Sequence, residues 1–169
     1  MARSKDKKSL SPGRGLITIV PRPGDWKGTQ MLKKILVGLD GSPHSFKALE
    51  EGVLLAMLAG TELDTISVEE LPRFPGTVGE VIEEKETANT TFGAAVAQAR
   101  QMAEAKGVKL RSHVLVGHEV RTIVEFVKEN EYDLLILGFM GHSAIYDRIM
   151  GGTCQNLVRL APCSVLVVK

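Results

Sequence analysis

Lys34-Ile35-Leu36-Val37-Gly38-Leu39-Asp40-Gly41-Ser42-Pro43 is the stretch from which the fold can be read. Ile35–Leu39 is a short apolar run rich in branched residues, the composition of a strand buried on both faces. Asp40-Gly41 then supplies a turn. Ser42 offers a side-chain oxygen for a helix N-cap, and Pro43 suits the first helical position. From His44 to Leu58 the spacing predicts a helix, with apolar residues at Phe46, Leu49, Val53, Leu54, Met57 and Leu58. Gly60 ends it, and Leu63–Val68 reads as a second strand.

The same alternation continues downstream. Glu69–Thr87 has no clean period: Pro72, Pro75, Gly76 and Gly79 are followed by Glu80, Glu83, Glu84 and Glu86. It is read as a long loop with at most a helical turn, either a binding loop or a solvated connection. Thr91–Lys106 predicts a helix with Phe92, Ala95, Val96, Ala99, Met102 and Ala103 on one side, stopped by Gly107. Lys109–Val116 predicts a strand and Val120–Asn130 a helix with Ile123, Val124 and Val127 inward. Leu134–Leu137 is a third buried strand, followed by a glycine-punctuated segment, a helix over Thr153–Leu160 and a last strand at Ser164–Val168. Strands alternating with helices predict a mostly parallel sheet covered by helices on both faces.

The chain has 169 residues, enough for one domain with a sizeable core. Lys plus Arg number 21 and Asp plus Glu 20, so nothing in the balance suggests nucleic acid or an anionic membrane as a partner. No apolar run is long enough to span a bilayer. The two cysteines, Cys154 and Cys163, make no disulfide framework.

Charge is nevertheless uneven. Residues 1–30 hold seven basic and two acidic groups, a net +5, and leave the remainder at −4. This basic tail, rich in Ser, Pro and Gly, is expected to be mostly disordered. It stands as a solvated extension, as an arm for an acidic partner, or as a segment preceding a true start at Met31. The domain is expected over 31–169.

In an open α/β sheet, ligands sit beyond the carboxyl ends of strands, where strand order reverses. Two strand ends here are specialised: Gly38-Leu39-Asp40-Gly41-Ser42 and Gly138-Phe139-Met140-Gly141, the latter leading to Gly151-Gly152-Thr153. Gly138 would let a ligand approach the backbone, and Gly141 a tight reversal. Gly151-Gly152-Thr153 opens a helix whose free N–H groups and dipole would face an anion. This is neither a P-loop nor a dinucleotide fingerprint.

The spacing Gly138-x₂-Gly141-x₉-Gly151 resembles the nucleotide-binding motif of the universal stress protein family. Lys34-Ile35-Leu36-Val37 with Asp40 and Ser42, and the ending Ala161-Pro162-Cys163-Ser164-Val165-Leu166-Val167-Val168, resemble the family too. The resemblance covers residues 32–169. It implies a doubly wound, five-stranded parallel sheet of order 3-2-1-4-5, Rossmann-like and of the adenine-nucleotide alpha-hydrolase type. It further implies adenosine between the ends of the first and fourth strands. Gly38, Leu39 and Asp40 would lie beside the adenosine, Val68 would touch adenine, and Leu137 and Gly138 would line base and ribose. Gly141, Gly151, Gly152, Thr153 and Cys154 would surround the phosphates. The ligand would be ATP, or AMP or ADP, with Mg²⁺. Ser164–Val168 would pair with its mate in a homodimer, and the protein would be a cytoplasmic stress factor with an unnamed protein partner.

One departure stands out. The family has Ser or Thr where this chain has Gly152, so a hydroxyl on the phosphate is lost unless Thr153 replaces it. A lost charge-assisted hydrogen bond costs about 1.5–3 kcal/mol, or about one to two decades of affinity. A member that does not bind ATP and works as a protein-interaction module is therefore the alternative, supported also by the bulky Phe139-Met140 pair. An enzyme of a related nucleotide-using family is a third reading, with no substrate site to support it.

Other residues carry two readings each. Asp40 positions ribose or holds magnesium through water, or it forms an Asx turn. His142, Ser143 and Arg148 touch phosphate or lie on a solvated face, where Asp147 pairs with Arg148. Cys154 is either activated by a helix N-terminus or buried in helix packing, and Cys163 is structural. His113 and His118 have no partners at metal-ligand spacing. No nucleophile triad or carboxylate pair stands out, so any ATP hydrolysis is expected to be slow.

Overall fold

The computed structural model describes residues 18–20, 32–70, 92–141 and 150–169. Six strands form one sheet: β1 (Thr18–Val20), β2 (Ile35–Gly38), β3 (Leu63–Glu70), β4 (Leu110–Gly117), β5 (Leu134–Gly138) and β6 (Ser164–Val168). Among the described residues four helices accompany them: α1 (Pro43–Ala59), α2 (residues 92–104), α3 (Glu119–Glu129) and α4 (Gly152–Leu160). The spatial order is β1-β6-β5-β2-β3-β4. Leaving β1 aside, the five remaining strands are parallel to their neighbours and follow the order 3-2-1-4-5.

Local chemistry accounts for the elements. Ser42 caps α1, its Oγ accepting from Ser45 N–H at 3.2 Å, with Pro43 opening the helix. Gly60, at φ 66°, takes the left-handed C-cap that a side chain would oppose. The strands feed two cores because successive residues face opposite sides. Ile35, Val37, Leu63, Leu134, Ile136, Leu166 and Val168 meet Leu49 and Val53 of α1 and Ala99 and Ala103 of α2. Leu36, Ile66, Leu135, Leu137, Val165 and Val167 meet Ile123 and Val127 of α3 and Cys154 and Leu157 of α4. Burying both faces of a parallel sheet in this way is what the apolar runs of β2, β5 and β6 require.

Two features add to the sequence reading. Within the tail expected to be mostly disordered, Thr18–Val20 forms a strand that pairs antiparallel with β6, Thr18 opposite Val167 and Val20 opposite Val165. An outer edge strand carries unpaired N–H and C=O groups, and three residues of tail satisfy some of them. The other tail residues lie outside the described set. On α1, not every apolar position faces the core: Leu54, Met57 and Leu58 are exposed, and Ser45, Ala48, Gly52 and Ala56 are buried instead. Helix α1 thus packs closely through small residues.

At the amino ends of the strands, the buried carboxylate of Asp64 joins β3 to β4 and to the residues before β5. Arg111 donates to it twice, Nε at 2.8 Å and Nη2 at 3.2 Å, and the Tyr132 hydroxyl donates to the same carboxylate. His113 Nε2 stands 3.9 Å from Asp64 Oδ2. Asp133 accepts the N–H groups of Lys33 and Lys34 at 2.8 and 2.9 Å, holding the start of β2 beside β5. Among the described residues no helix is long and apolar enough to cross a membrane.

Candidate functional site

Strand β2 has β3 on one side and β5 on the other, so the chain departs in opposite directions at the β2/β5 boundary. The carboxyl ends of these two strands open a crevice there. On the β2 side, Leu39 N–H donates to Ile66 O at 2.9 Å and the Ser67 hydroxyl to Leu39 O at 2.6 Å. Asp40 then forms an Asx turn, its Oδ1 accepting Ser42 N–H at 2.9 Å. On the β5 side, Phe139 N–H donates to Val168 O at 2.7 Å, and Phe139 O accepts Gly151 N–H at 3.2 Å. That second bond brings the start of α4 back to the end of β5. The Ser42 hydroxyl, donating to Met140 O at 3.4 Å, ties the two sides together.

A cavity of about 700 Å³ lies in this crevice, a size suited to a small-molecule ligand. Gly38, Leu39, Asp40, Val68, Leu137, Gly138, Gly141, Gly151, Gly152, Thr153 and Cys154 all line it. The eleven residues singled out in the sequence are therefore brought to one place. His142, Ser143, Asp147 and Arg148 lie outside the described residues, as does most of the loop over 69–87; Glu69 and Glu70 belong to β3 and line the cavity.

The individual roles are not all as expected. A Cβ on Gly138 would stand 2.7 Å from the carbonyl carbon of His44 and 2.9 Å from Ser45 N. Its missing side chain makes room for the backbone of α1, while the residue itself lines the cavity. A Cβ on Gly141 would stand 2.6 Å from Asp40 Oδ2, so this glycine makes room for that carboxylate. Gly152 has no atom within 4 Å of a Cβ position, so a side chain there meets open space. The Thr153 hydroxyl, one candidate to replace the missing phosphate ligand, donates to Glu119 Oε2 at 2.8 Å. Burial pushes the Cys154 thiol up to about 11, which fits helix packing and opposes an activated thiolate.

Three carboxylates escaped the sequence reading. Glu69 and Glu70 were assigned to a loop, but Val116 and Gly117 of β4 pair with them and extend β3. Glu119 is the first residue of α3, a position whose acidity ordinarily complements the helix dipole. Nothing in the linear sequence places it beside α4. Half-buried there, its carboxyl is raised above the ordinary value, chiefly by desolvation, while the Thr153 hydrogen bond acts in the opposite direction. The first N–H groups of α4 precede any intrahelical acceptor, Gln155 N–H being the one that reaches Gly151 O at 3.0 Å. The site thus offers apolar walls between β2 and β5, and a helix N-terminus suited to an anion at one end.

Comparison with known proteins agrees with this geometry. Universal stress protein MJ0531 of Methanocaldococcus jannaschii is 30% identical over 144 residues, covering 84% of this chain and 85% of that protein. The structure of universal stress protein UspA from Lactobacillus plantarum is similar with a TM-score of 0.70 and 25% identity, covering 83% of this chain and all of that one (100%). A universal stress protein solved in complex with cAMP gives a TM-score of 0.63 at 27% identity, covering 82% and 98% respectively. Residues 31–169 match the Universal stress protein family as a whole, and the chain belongs to that family.

Proposed function

We propose that this protein binds an adenine nucleotide between the ends of β2 and β5 and acts as a nucleotide-responsive stress or regulatory factor in the cytoplasm. One observation carries the reading: eleven residues chosen from separate segments line a single cavity at the point of strand-order reversal. The cAMP bound by a relative of the same fold supports an adenine ligand. Asp40 and Val68 flank the nucleoside, and the first turn of α4 receives the phosphate. ATP, ADP and AMP are the candidate ligands. Mg²⁺ would accompany the phosphates, with Asp40 beside them to hold it through water. Any hydrolysis is slow.

Homodimerisation through Ser164–Val168 belongs to the same proposal, and it requires β1 to leave the edge of β6. A second reading, an interaction module without ATP, is favoured by Gly152 and by the engagement of Thr153 with Glu119. Calorimetric titration of the full chain with ATP and Mg²⁺ separates the two. Micromolar binding is expected, and Gly152→Ser, which meets no steric obstacle, is expected to tighten it by about tenfold. No binding at millimolar nucleotide, by either protein, would leave the interaction module as the reading.

A further inference from the structure

The described wall of the cavity carries four carboxylates, Asp40, Glu69, Glu70 and Glu119, and no lysine, arginine or histidine. Sites for polyphosphates ordinarily combine backbone N–H groups with cationic side chains. Glu119 matters most among the four because of where it is held. It begins α3, Thr153 lies in the first turn of α4, and the Thr153 hydroxyl donates to Glu119 Oε2 at 2.8 Å. The hydroxyl nearest the helix opening is turned toward a carboxylate. That carboxylate stands beside a helix N-terminus, the position an incoming anion would favour.

Resting on the nucleotide reading above, we infer that Glu119 is a specificity-determining residue that selects adenine ligands of low negative charge, so that metal-free ATP is held more weakly than a cyclic monophosphate. Repulsion between fixed charges grows with the charge of the ligand, and it is strongest where water is scarce. Metal-free ATP carries about four negative charges and cAMP about one, so the same carboxylate penalises ATP far more. The groups facing Glu119 are Glu70 at the end of β3, Asp40 after β2, Thr153 on α4 and His118 preceding it on its own turn. Glu70 and Asp40 reinforce the negative field, while His118 opposes it. Phosphate binding therefore favours the protonated form of Glu119. ATP affinity falls as pH rises through the titration of that carboxyl, which lies above the ordinary carboxylate value.

The test is calorimetric titration of the full chain and of Glu119→Gln with adenosine, cAMP and ATP, in the presence of a chelator, from mildly acidic to mildly alkaline pH. The unaltered protein is expected to bind cAMP at least about tenfold tighter than ATP. Glu119→Gln should raise ATP affinity by about tenfold and cAMP affinity by no more than about threefold. It should also remove the part of the pH dependence that exceeds the titration of the phosphate itself. Glutamine keeps an acceptor for Thr153. Should that variant not fold, Glu119→Ala gives a second measure, with the same larger gain expected for ATP than for cAMP. Equal gains for ATP and cAMP, or an unchanged pH profile, would overturn the selectivity while leaving nucleotide binding intact. Failure of every adenine compound to bind either protein would instead remove the nucleotide reading, and the selectivity with it.

Discussion

Gly138 shows how a motif residue can serve the fold before it serves a ligand. A methyl group there would press on backbone atoms of His44 and Ser45, which cannot turn aside as a side chain could. Gly138→Ala is therefore expected to destabilise the protein by about 1–3 kcal/mol with no ligand present. Urea denaturation measures this directly, and an unchanged midpoint would return Gly138 to a purely ligand-facing role. Gly152 is the opposite case, because a side chain there meets no neighbour. From sequence alone the two glycines look alike. What distinguishes them is the approach of α1, a tertiary contact that spacing does not reveal. Thr153 was identified as the hydroxyl nearest the missing serine, yet its hydrogen bond depends on α3 reaching α4.

Among the elements, legibility followed local punctuation. Ser42-Pro43 and Gly60 bound α1 as expected, since both of its caps are made by neighbours in the chain. The last strand, Ser164–Val168, comes shortly after the helix-breaking Ala161-Pro162 and is apolar from Val165 on, and its limits match the sequence reading. Strand β3 runs past its apolar part because β4 pairs with Glu69 and Glu70, a partner far away in sequence. The Asp64 cluster is another such product of pairing: Asp64 sits opposite Arg111 in the register of β3 and β4. Tyr132→Phe removes one hydrogen bond while Arg111 still serves the carboxylate, so a cost of about 1 kcal/mol is expected. Asp64→Ala strands the buried Tyr132 hydroxyl as well and should cost about 2–3 kcal/mol. Chemical denaturation of both variants checks this order. Equal losses would mean that the Tyr132 hydrogen bond accounts for the whole contribution of the carboxylate and that Arg111 adds nothing to it.

For the molecule as a whole, the two sheet edges differ. One is β4, and the other is covered by the short antiparallel strand β1, contributed by a segment outside the family match. Three paired residues form a small contact, readily exchanged for a longer one. If Ser164–Val168 pairs two copies, as proposed, a chain beginning at Met31 should dimerise at lower concentration than the full chain. Sedimentation equilibrium on both chains tests this. Identical association constants would show that β1 does not compete for the edge.

The peptide group linking Gly138 to Phe139 donates its N–H to Val168, at the end of the outer strand, and the next carbonyl accepts from Gly151, at the mouth of the crevice. One residue is thus a hinge pin between the rim of the sheet and the anion-facing turn. If nucleotide binding draws that turn inward, the bond to Val168 must lengthen or β6 must follow. Free energy gained at one end is then felt at the other, in both directions and in equal measure. A molecule built this way can report an occupied crevice at its border without moving a domain.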